Sequence, residues 1–380
     1  MPGNTLTGLI PDFYAAMNVV GRELVGFIPA ITISPDIARA AVNQSVRIPI
    51  APAAVGENIV AGTNPPDSGD QTMDYTSLTI TKSRAFPFRH YGEEQRGLAF
   101  GPGRLTIQQQ QIAQAIRAAV NEIESDIGLV YTSASRALGT AGTAPFASTL
   151  NVLNDARKIL VDNGCPDNDL HFVMDTTAGV NMRNLTQLQK VNESGDSSLL
   201  RQGLLGNLSN FDIRESAQVA LHTAGTANAN YDTNLGAPLA VGDRTVAVDT
   251  GSGTIVAGDC VSFAGSSHVY VVNTALSGGS FVLNKPGLRA TLADGVDVTV
   301  GAAYRANMVF HRNAIVAAIR APALPSEGDM ADDRTVVVDP YTGLVFELAL
   351  YKQYRRVRYE LAVAWGVGAI KPEHMALIRG

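Results

Sequence analysis

The amino-acid sequence predicts an α+β protein, and three features indicate this class. Two short strands, at residues 45–50 and 77–82, enclose a segment rich in Pro, Gly, Asp and Asn. One long amphipathic helix comes next, and short strands separated by glycine-rich turns come later in the chain. Strands and helices are therefore both expected, largely in separate stretches of the chain.

The two strands at 45–50 and 77–82 predict a hairpin arm with few partners of its own. An isolated two-stranded arm is marginal in water, because it buries one thin face and leaves both edges unpaired. We therefore expect another copy of the chain to supply the missing partner, which favours a self-assembling structural protein over a solitary enzyme. Before the hairpin, residues 1–43 are expected to form an extended arm with a short helix near residues 12–20.

An apolar stripe predicts a long helix from Ile107 to about Ser135. Its members recur every three or four positions, and they are Ile112, Ile116, Ala119, Ile123, Ile127 and Val130. Thr106 is expected to cap the start, with Gln109 as its capping-box partner. At about 1.5 Å per residue, such a helix would extend roughly 40 Å and act as a rigid spine.

Short strands with glycine-rich turns predict a small β-barrel or sandwich after residue 226. These strands are expected at 245–248, 260–263, 268–272, 280–283 and 297–300. Residues 224–235 before them are small and polar and are interpreted as a linker. Because exposed loops tolerate insertions, segment 226–302 is interpreted as a domain inserted into an α/β body.

The body around this insertion is expected to contain four shorter elements and a strand-rich end. Helices are predicted at 151–161 and 176–188, and strands at 170–174 and 211–216. After the insertion, residues 314–318 show helical periodicity. Two long strands at 344–350 and 361–364 follow, and residues 371–373 resemble a final turn.

Composition and charge narrow the classes of function. Charged residues make up only 17% of the chain, which favours a surface that is partly covered by other molecules. The net charge of −6 disfavours a dedicated DNA-binding module. Two widely separated cysteines, Cys165 and Cys260, argue against a disulfide framework or a cysteine zinc site and favour a reducing cytoplasm. No apolar stretch is long enough to span a bilayer, so no membrane partner is expected.

The sharpest enzymatic pattern is an apolar strand that ends in Asp249-Thr250-Gly251-Ser252. Aspartic proteases present a catalytic carboxylate in this way, and two such carboxylates share one proton. Since only one copy is present, a protease would have to be a dimer; a simple turn between two strands is favoured instead. The six histidines are scattered without ligand spacing. We therefore expect no catalytic residue, no metal site, no cofactor and no enzymatic activity.

Charged residues at two places are candidates for contacts between subunits. A basic cluster near residue 355 could contact nucleic-acid phosphates, but a solvated or intersubunit charge face on a strand pair is favoured. The acidic tip of the hairpin arm offers opposite charges to a neighbour, and a plain flexible loop would show the same composition. The full candidate set is Arg47, Glu57, Asp67, Asp70, Lys82, Arg84, Lys352, Arg355, Arg356 and Arg358.

Several segments, in their order and spacing, carry a resemblance to a known family. They are residues 78–80 with 86–88, the helix after Thr106, residues 203–213 with Ser216, residues 309–315 and residues 365–373. The chain resembles the major capsid proteins of tailed bacteriophages, which have the Hong Kong 97 fold. Within that family it looks like the coat proteins of short-tailed phages, which carry an inserted β-barrel domain.

The resemblance implies a division of the chain into five parts. Residues 1–43 would be the amino-terminal arm, and residues 44–84 the extended hairpin loop that reaches a neighbouring subunit. Residues 85–136 and 343–380 would form the peripheral domain with the spine helix and carboxy-terminal strands. Residues 137–225 and 303–342 would form the axial domain, and residues 226–302 the inserted barrel, which aids folding and capsomer contact in such relatives.

The resemblance also implies partners and a location. Many copies of the chain, as hexamers and pentamers, would form an icosahedral shell around double-stranded DNA, in a procapsid assembled with a scaffolding protein and a portal. A decoration protein could bind outside. Assembly would take place in the host bacterial cytoplasm, and the final location would be the virion. Neither a preceding assembly domain nor a lysine–asparagine crosslinking motif is recognised, so a non-covalent shell is expected. The alternative is a compartment shell of the same fold that encloses cargo enzymes.

Overall fold

The structure is a computed structural model that describes residues 25–36, 38–50, 56, 58–59, 72–98, 103–190, 205–227, 231–338 and 344–380. These residues form three sheets, of six, thirteen and two strands, together with several helices. The predicted α+β class is therefore confirmed. The short helix expected near residues 12–20 lies outside the described residues.

The regular elements have the following bounds in chain order. The helices are α1 (Gly92–Leu98), α2 (Gly103–Gly128), α3 (Asn151–Asp162), α4 (Thr176–Asn184) and α5 (Thr186–Gln189). Short 3-10 turns lie at Ile28–Ala30, Leu129–Ser133, Arg312–Ala314 and Pro372–His374. The strands are β1 (Thr32–Ile33), β2 (Ser45–Ile50), β3 (Asp74–Thr79), β4 (Lys82–Tyr91), β5 (Arg136–Leu138), β6 (Leu170–Met174), β7 (Asn207–Leu208), β8 (Phe211–Glu215), β9 (Leu221–His222), β10 (Tyr231–Thr233), β11 (Thr245–Asp249), β12 (Cys260–Phe263), β13 (Val269–Ser277), β14 (Ser280–Leu283), β15 (Asp297–Val300), β16 (Tyr304–His311), β17 (Ile315–Arg320), β18 (Asp333–Val338), β19 (Val345–Gln353), β20 (Arg356–Ala369) and β21 (Met375–Arg379).

The central layer is built around β16, which pairs antiparallel with β21 on one side and with β6 on the other. Alternate residues of a strand point to opposite faces of its sheet. Accordingly, Met308 and Phe310 join the cluster beneath α2, whereas Val309 joins the cluster beneath α3 and α4. Both faces are covered, which explains why the strand is apolar along most of its length.

The long helix α2 confirms the predicted spine, with corrected ends. Ile112, Ile116, Ala119, Ile123 and Ile127 of its stripe are all buried. The helix begins at Gly103, so Thr106 lies inside it and the predicted cap is wrong. It ends at Gly128, where a side chain would meet the backbone oxygen of Gln218, and the chain then tightens into a 3-10 turn.

The second sheet has the long strand β20 at its centre. One edge of β20 pairs with β4, and the other pairs with β19 and then with β17, which in turn pairs with β1. The predicted helical segment at 314–318 is wrong, because β17 occupies it as a fully buried strand. A short apolar run fits a buried strand as well as a helix, so periodicity could not separate the two. Strand β21 was likewise missed after the predicted final turn.

Six strands, β10 to β15, close into a barrel between Tyr231 and Val300. Each pairs with two others in the order β12, β15, β10, β11, β14, β13 and back to β12. Closure gives every one of the six strands a partner on both sides, and side chains such as Val246 and Phe281 fill the interior. Strand β10 lies inside the segment that was interpreted as a linker.

Buried hydrogen bonds attach the barrel to the body. The Asn284 side chain donates to the backbone oxygens of Thr132 at 2.7 Å and Ala134 at 2.9 Å. His222 lies between the Tyr131 hydroxyl and the Asp259 carboxylate, at 2.8 Å from each. Strand β13 also pairs with β5, which joins the barrel to the central sheet. The barrel is thus held by specific polar contacts as well as by covalent connections.

Among the described residues, none of the helices is both long enough and apolar enough to cross a membrane.

Candidate intersubunit surface

Strands β2 and β3 form a two-stranded ribbon, as the sequence predicted. They pair antiparallel from Ser45 opposite Thr79 to Ile50 opposite Asp74. Within the described chain, the ribbon has no third strand. The second strand begins and ends three residues earlier than predicted. This is because the backbone N–H of Thr81 donates to the backbone oxygen of Trp365, and the chain turns there into β4. Both outer edges therefore offer backbone groups to another chain.

The ribbon has one half-buried face and one exposed face. Residues of β2 alternate strictly between exposed and half-buried, with Val46, Ile48 and Ile50 on the less exposed side. On the exposed side, the Arg47 guanidinium lies 4.8 Å from the centre of the Tyr75 ring, and Tyr75 is 52% exposed. An outward pair of arginine and tyrosine is the composition that protein interfaces favour.

The base of the ribbon is anchored to the body. Leu78 and Ile80 are buried in a small cluster that includes Val316 of β17. At Gly366 of β20, a Cβ atom would lie 2.0 Å from the backbone oxygen of Thr79, so the ribbon backbone rests directly on this glycine. The body thus fixes where the ribbon starts.

Lys82 and Arg84, two of the candidate contacts, bind the spine helix of the same chain. The Lys82 ammonium lies 2.8 Å from Asp126 and 3.4 Å from Glu122, and Arg84 lies 3.3 Å from Glu122. The hydrogen bond to Asp126 raises the pKa of Lys82 above its ordinary value. These ion pairs hold the start of β4 against α2, where the chain leaves the ribbon.

The basic cluster surrounds the turn between β19 and β20. Tyr354 at this turn is 89% exposed, and Arg355 beside it has a φ of 55°. Lys352 forms an ion pair with Asp332, and Arg358 forms one with Glu360. The structure leaves Arg355 exposed at the turn, while Arg358 is half-buried and turned toward a carboxylate of its own strand.

A cavity of about 680 Å³ opens beside this turn. Lys352, Arg355 and Arg356 line it together with His90 of β4 and Arg96 of α1. His90 and Arg96 were not predicted from the sequence, because they are some 250 positions away and only the pairing of β4 with β20 brings them to the turn. The acidic candidates Glu57, Asp67 and Asp70 lie outside the described residues.

Asp249 lies at the exposed end of β11, in a turn of the barrel. The Thr250 hydroxyl donates to the backbone oxygen of Asp249 at 2.9 Å, and Thr250 has a φ of 58°. At Gly251, a Cβ atom would overlap the Tyr231 ring at 2.2 Å. The tight turn and the close ring account for these residue types without catalysis. In the part of the chain that the structure describes, no three His, Cys, Asp or Glu residues are grouped to hold a metal.

No protein-family model matches the chain, and no curated protein matches it. Solved structures similar to it include one of Mycobacterium phage Che8, at 13% identity and a TM-score of 0.47, covering 88% of this chain and 84% of that one. The capsid structure of cyanophage P-SCSP1u has 11% identity and a TM-score of 0.47, covering 92% and 86%. The mature capsid of bacteriophage PhiM1 has 11% identity and a TM-score of 0.47, covering 93% and 86%.

Proposed function

We propose that this chain is a major capsid protein that self-assembles into the icosahedral head shell of a tailed bacteriophage, around double-stranded DNA. The observation that carries this proposal is the ribbon of β2 and β3. It is anchored at one end, has no third strand in the described chain, and presents Arg47 and Tyr75 to solvent. A chain of this kind gains stability when another copy covers the ribbon.

Repeated contacts of this type produce a closed lattice. When the ribbon of one copy lies on a different surface of the next, the contact is head-to-tail, and such contacts form rings when the rotation closes. The outer edge of β18 has no strand beside it among the described residues, and its Val336 is 43% exposed. An unpaired edge of this kind can be extended by a strand from a neighbour. Hexameric and pentameric rings of the chain would tile the shell.

In this proposal the parts of the chain have separate roles. Residues 1–43 are the amino-terminal arm, and 44–84 the extended loop. Residues 85–136 with 343–380 are the peripheral domain, 137–225 with 303–342 the axial domain, and 226–302 the inserted barrel. A scaffolding protein and a portal take part in assembly in the bacterial cytoplasm, and the shell itself does not catalyse a reaction.

The charged candidates make the contacts between copies. The acidic segment between β2 and β3, with Glu57, Asp67 and Asp70, meets the basic turn of a neighbour around Arg355. Opposite charges at a contact steer the encounter and fix its register more than they add affinity. Arg47 on the ribbon face and Arg356 beside the turn act at the same surfaces. Lys82, Arg84, Lys352 and Arg358 have a smaller part, because they pair with carboxylates of their own chain.

The test compares the full chain with a variant that lacks only the segment between β2 and β3. Residues 51–73 are replaced by Asn-Gly, which closes a two-residue hairpin between Ile50 and Asp74 and preserves the pairing of β2 with β3. Both proteins are examined by sedimentation velocity and electron microscopy, each with and without the phage's scaffolding protein.

We expect closed shells from the full chain and folded, unassembled subunits from the variant. A full chain that stays a compact monomer under all conditions would refute the proposal. Shells from the shortened variant would show that segment 51–73, with its acidic candidates, is not the contact on which assembly depends.

A further inference from the structure

A buried carboxyl group of the spine helix binds the backbone of a distant segment. Glu124 of α2 is 1% exposed. Its Oε1 atom accepts hydrogen bonds from the backbone N–H groups of Gly26 at 2.6 Å and Phe27 at 2.7 Å. Its Oε2 atom accepts from the backbone N–H of Ile28 at 3.0 Å. Three successive donors thus converge on one side chain almost a hundred residues away in sequence.

This arrangement supplies a cap that the local sequence lacks. The first N–H groups of a helical turn have no partner within the turn and are usually bound by a nearby Ser, Thr, Asp or Asn. The turn at Ile28–Ala30 begins after Phe27, which has no side chain able to do so. Glu124 takes that role from across the core. No cation is recorded in contact with Glu124 among the described side chains, so the backbone donors and the Ser216 hydroxyl are what offset its burial.

The segment held by Glu124 precedes the ribbon in the chain. We call residues 25–36 and 38–43 the strap. After the capped turn, the Thr32 hydroxyl donates to the Asn313 side chain at 2.8 Å, and β1 pairs with β17. Further along, Asp36 forms an ion pair with Arg320 at 2.9 Å. The strap ends where the backbone N–H of Asn43 donates to the oxygen of Ile80, and the ribbon begins two residues later.

We infer that Glu124 is a positioning residue: it fixes the strap on the spine helix and thereby sets the direction in which the ribbon leaves the body. The spine helix has more residues than any other regular element of the described chain. The Glu124 carboxyl group on this helix therefore fixes the start of the strap. From there the strap pairs with β17 and continues to the base of the ribbon. The inference concerns a single copy of the chain and does not depend on the proposed function.

The test replaces this acceptor without changing its shape. In Glu124→Gln, one oxygen becomes an NH₂ group that faces a backbone donor, so at least one hydrogen bond is replaced by a repulsive contact. Hydrogen exchange is measured at the amides of residues 26–28 and 43 in the full-length protein. Spin labels at Ser77→Cys on the ribbon and Asp155→Cys on α3 report the ribbon direction. Both native cysteines are buried, which limits labelling to the two introduced sites.

We expect at least about tenfold faster exchange at these amides and a broader distance distribution between the labels, since tenfold corresponds to one hydrogen bond of ordinary net strength. The matched control is Ile378→Val, which loosens the separate core beneath α3 and leaves the strap contacts intact. An exchange rate and a distance width that stay unchanged in Glu124→Gln would overturn the inference. The inference would also be overturned if Ile378→Val broadened the distance distribution as much as Glu124→Gln does.

A milder variant keeps the inference testable if Glu124→Gln does not fold. Ser216→Ala removes the hydroxyl that donates to Glu124 and leaves the carboxyl group in place. We expect the same changes in exchange and distance width at reduced size. Suppose that Glu124→Gln does not fold, and that Ser216→Ala changes neither the exchange rates nor the width of the distance distribution. Glu124 then supports the core only, and the inference is wrong.

Discussion

Replacing Arg355 by glycine separates the stability of the subunit from its ability to assemble. Arg355 is exposed at the turn between β19 and β20, and its φ of 55° is in the left-handed region that glycine adopts without strain. The substitution therefore removes a cation from the proposed contact surface while easing the local backbone. An ordinary charge deletion would not distinguish a contact role from a folding role as clearly.

Two opposing terms set the expected change in subunit stability. Left-handed backbone costs a residue with a Cβ atom about 1–2 kcal/mol, and this strain is relieved by Arg355→Gly. Glycine also gains freedom in the unfolded chain, which opposes folding by about 0.4–1 kcal/mol. The free energy of unfolding should therefore stay the same or rise by up to about 1.6 kcal/mol.

Assembly should change in the other direction. A solvent-exposed charge contact contributes about 0.2–1 kcal/mol. Loss of one such contact per subunit should raise the concentration at which shells form by up to about fivefold, since 1.4 kcal/mol corresponds to tenfold. Added salt should reduce this difference because it screens exposed charges.

Urea unfolding of the subunit and light scattering during assembly measure the two quantities. Arg157→Gln is the matched control, because it removes the same charge from the exposed face of α3, where Arg157 pairs with Asp167 at 2.5 Å. If Arg355→Gly leaves the concentration at which shells form unchanged, Arg355 does not contribute to the contact between subunits. A loss of subunit stability above about 1 kcal/mol would refute the strain argument.

Four further predictions follow from single contacts. Asn284→Asp should lower the free energy of unfolding by about 3–5 kcal/mol, because a buried acceptor would face two carbonyl oxygens; a loss under 1 kcal/mol in urea unfolding contradicts this. Gly366→Ala should speed hydrogen exchange near Thr79, where the new methyl group would displace the ribbon base; unchanged exchange there would count against the close approach. Burial lowers the pKa of His171 below 6.5, so its stabilising effect is present above that pH and is lost as the pH falls through the lowered pKa. Thermal unfolding should therefore show a smaller loss between pH 7 and 5 in His171→Gln than in the unsubstituted protein, and an equal loss would be inconsistent with this. Burial raises the pKa of Glu124, so stability is lost as the pH rises from 4.5 through the raised pKa. Glu124→Gln should not show this loss. Identical dependence of stability on pH in the variant and the unsubstituted protein would contradict the prediction.

The proposed surface was only partly readable from the sequence. Arg47 and Arg355 were recognised as candidates, and both are exposed in the structure. Lys82 and Arg84 looked equivalent to them in sequence, yet both bind carboxylates of α2. Which cation finds a partner inside its own chain depends on how segments forty residues apart are packed, and local composition does not contain that information.

The sequence alone predicted the elements in which apolar residues recur at a regular spacing. The stripe that begins at Ile112 established the spine helix, and the alternation around Val46 established the ribbon strands. Such patterns are readable because one face of each element is buried and the other is not. Where both faces are buried, as at β17, the pattern disappears, and the sequence alone predicted a helix instead of a strand.

Tertiary structure alone decided the contacts between distant segments. Closure of the barrel, the joining of His90 and Arg96 to the basic turn, and the capping of Ile28 by Glu124 all depend on which segments become neighbours. A backbone N–H can donate to any well-placed oxygen, so the local sequence does not specify where that oxygen comes from. The sequence of a segment determines which of its polar groups and apolar faces must be covered. The packing of the whole chain determines which distant residues cover them.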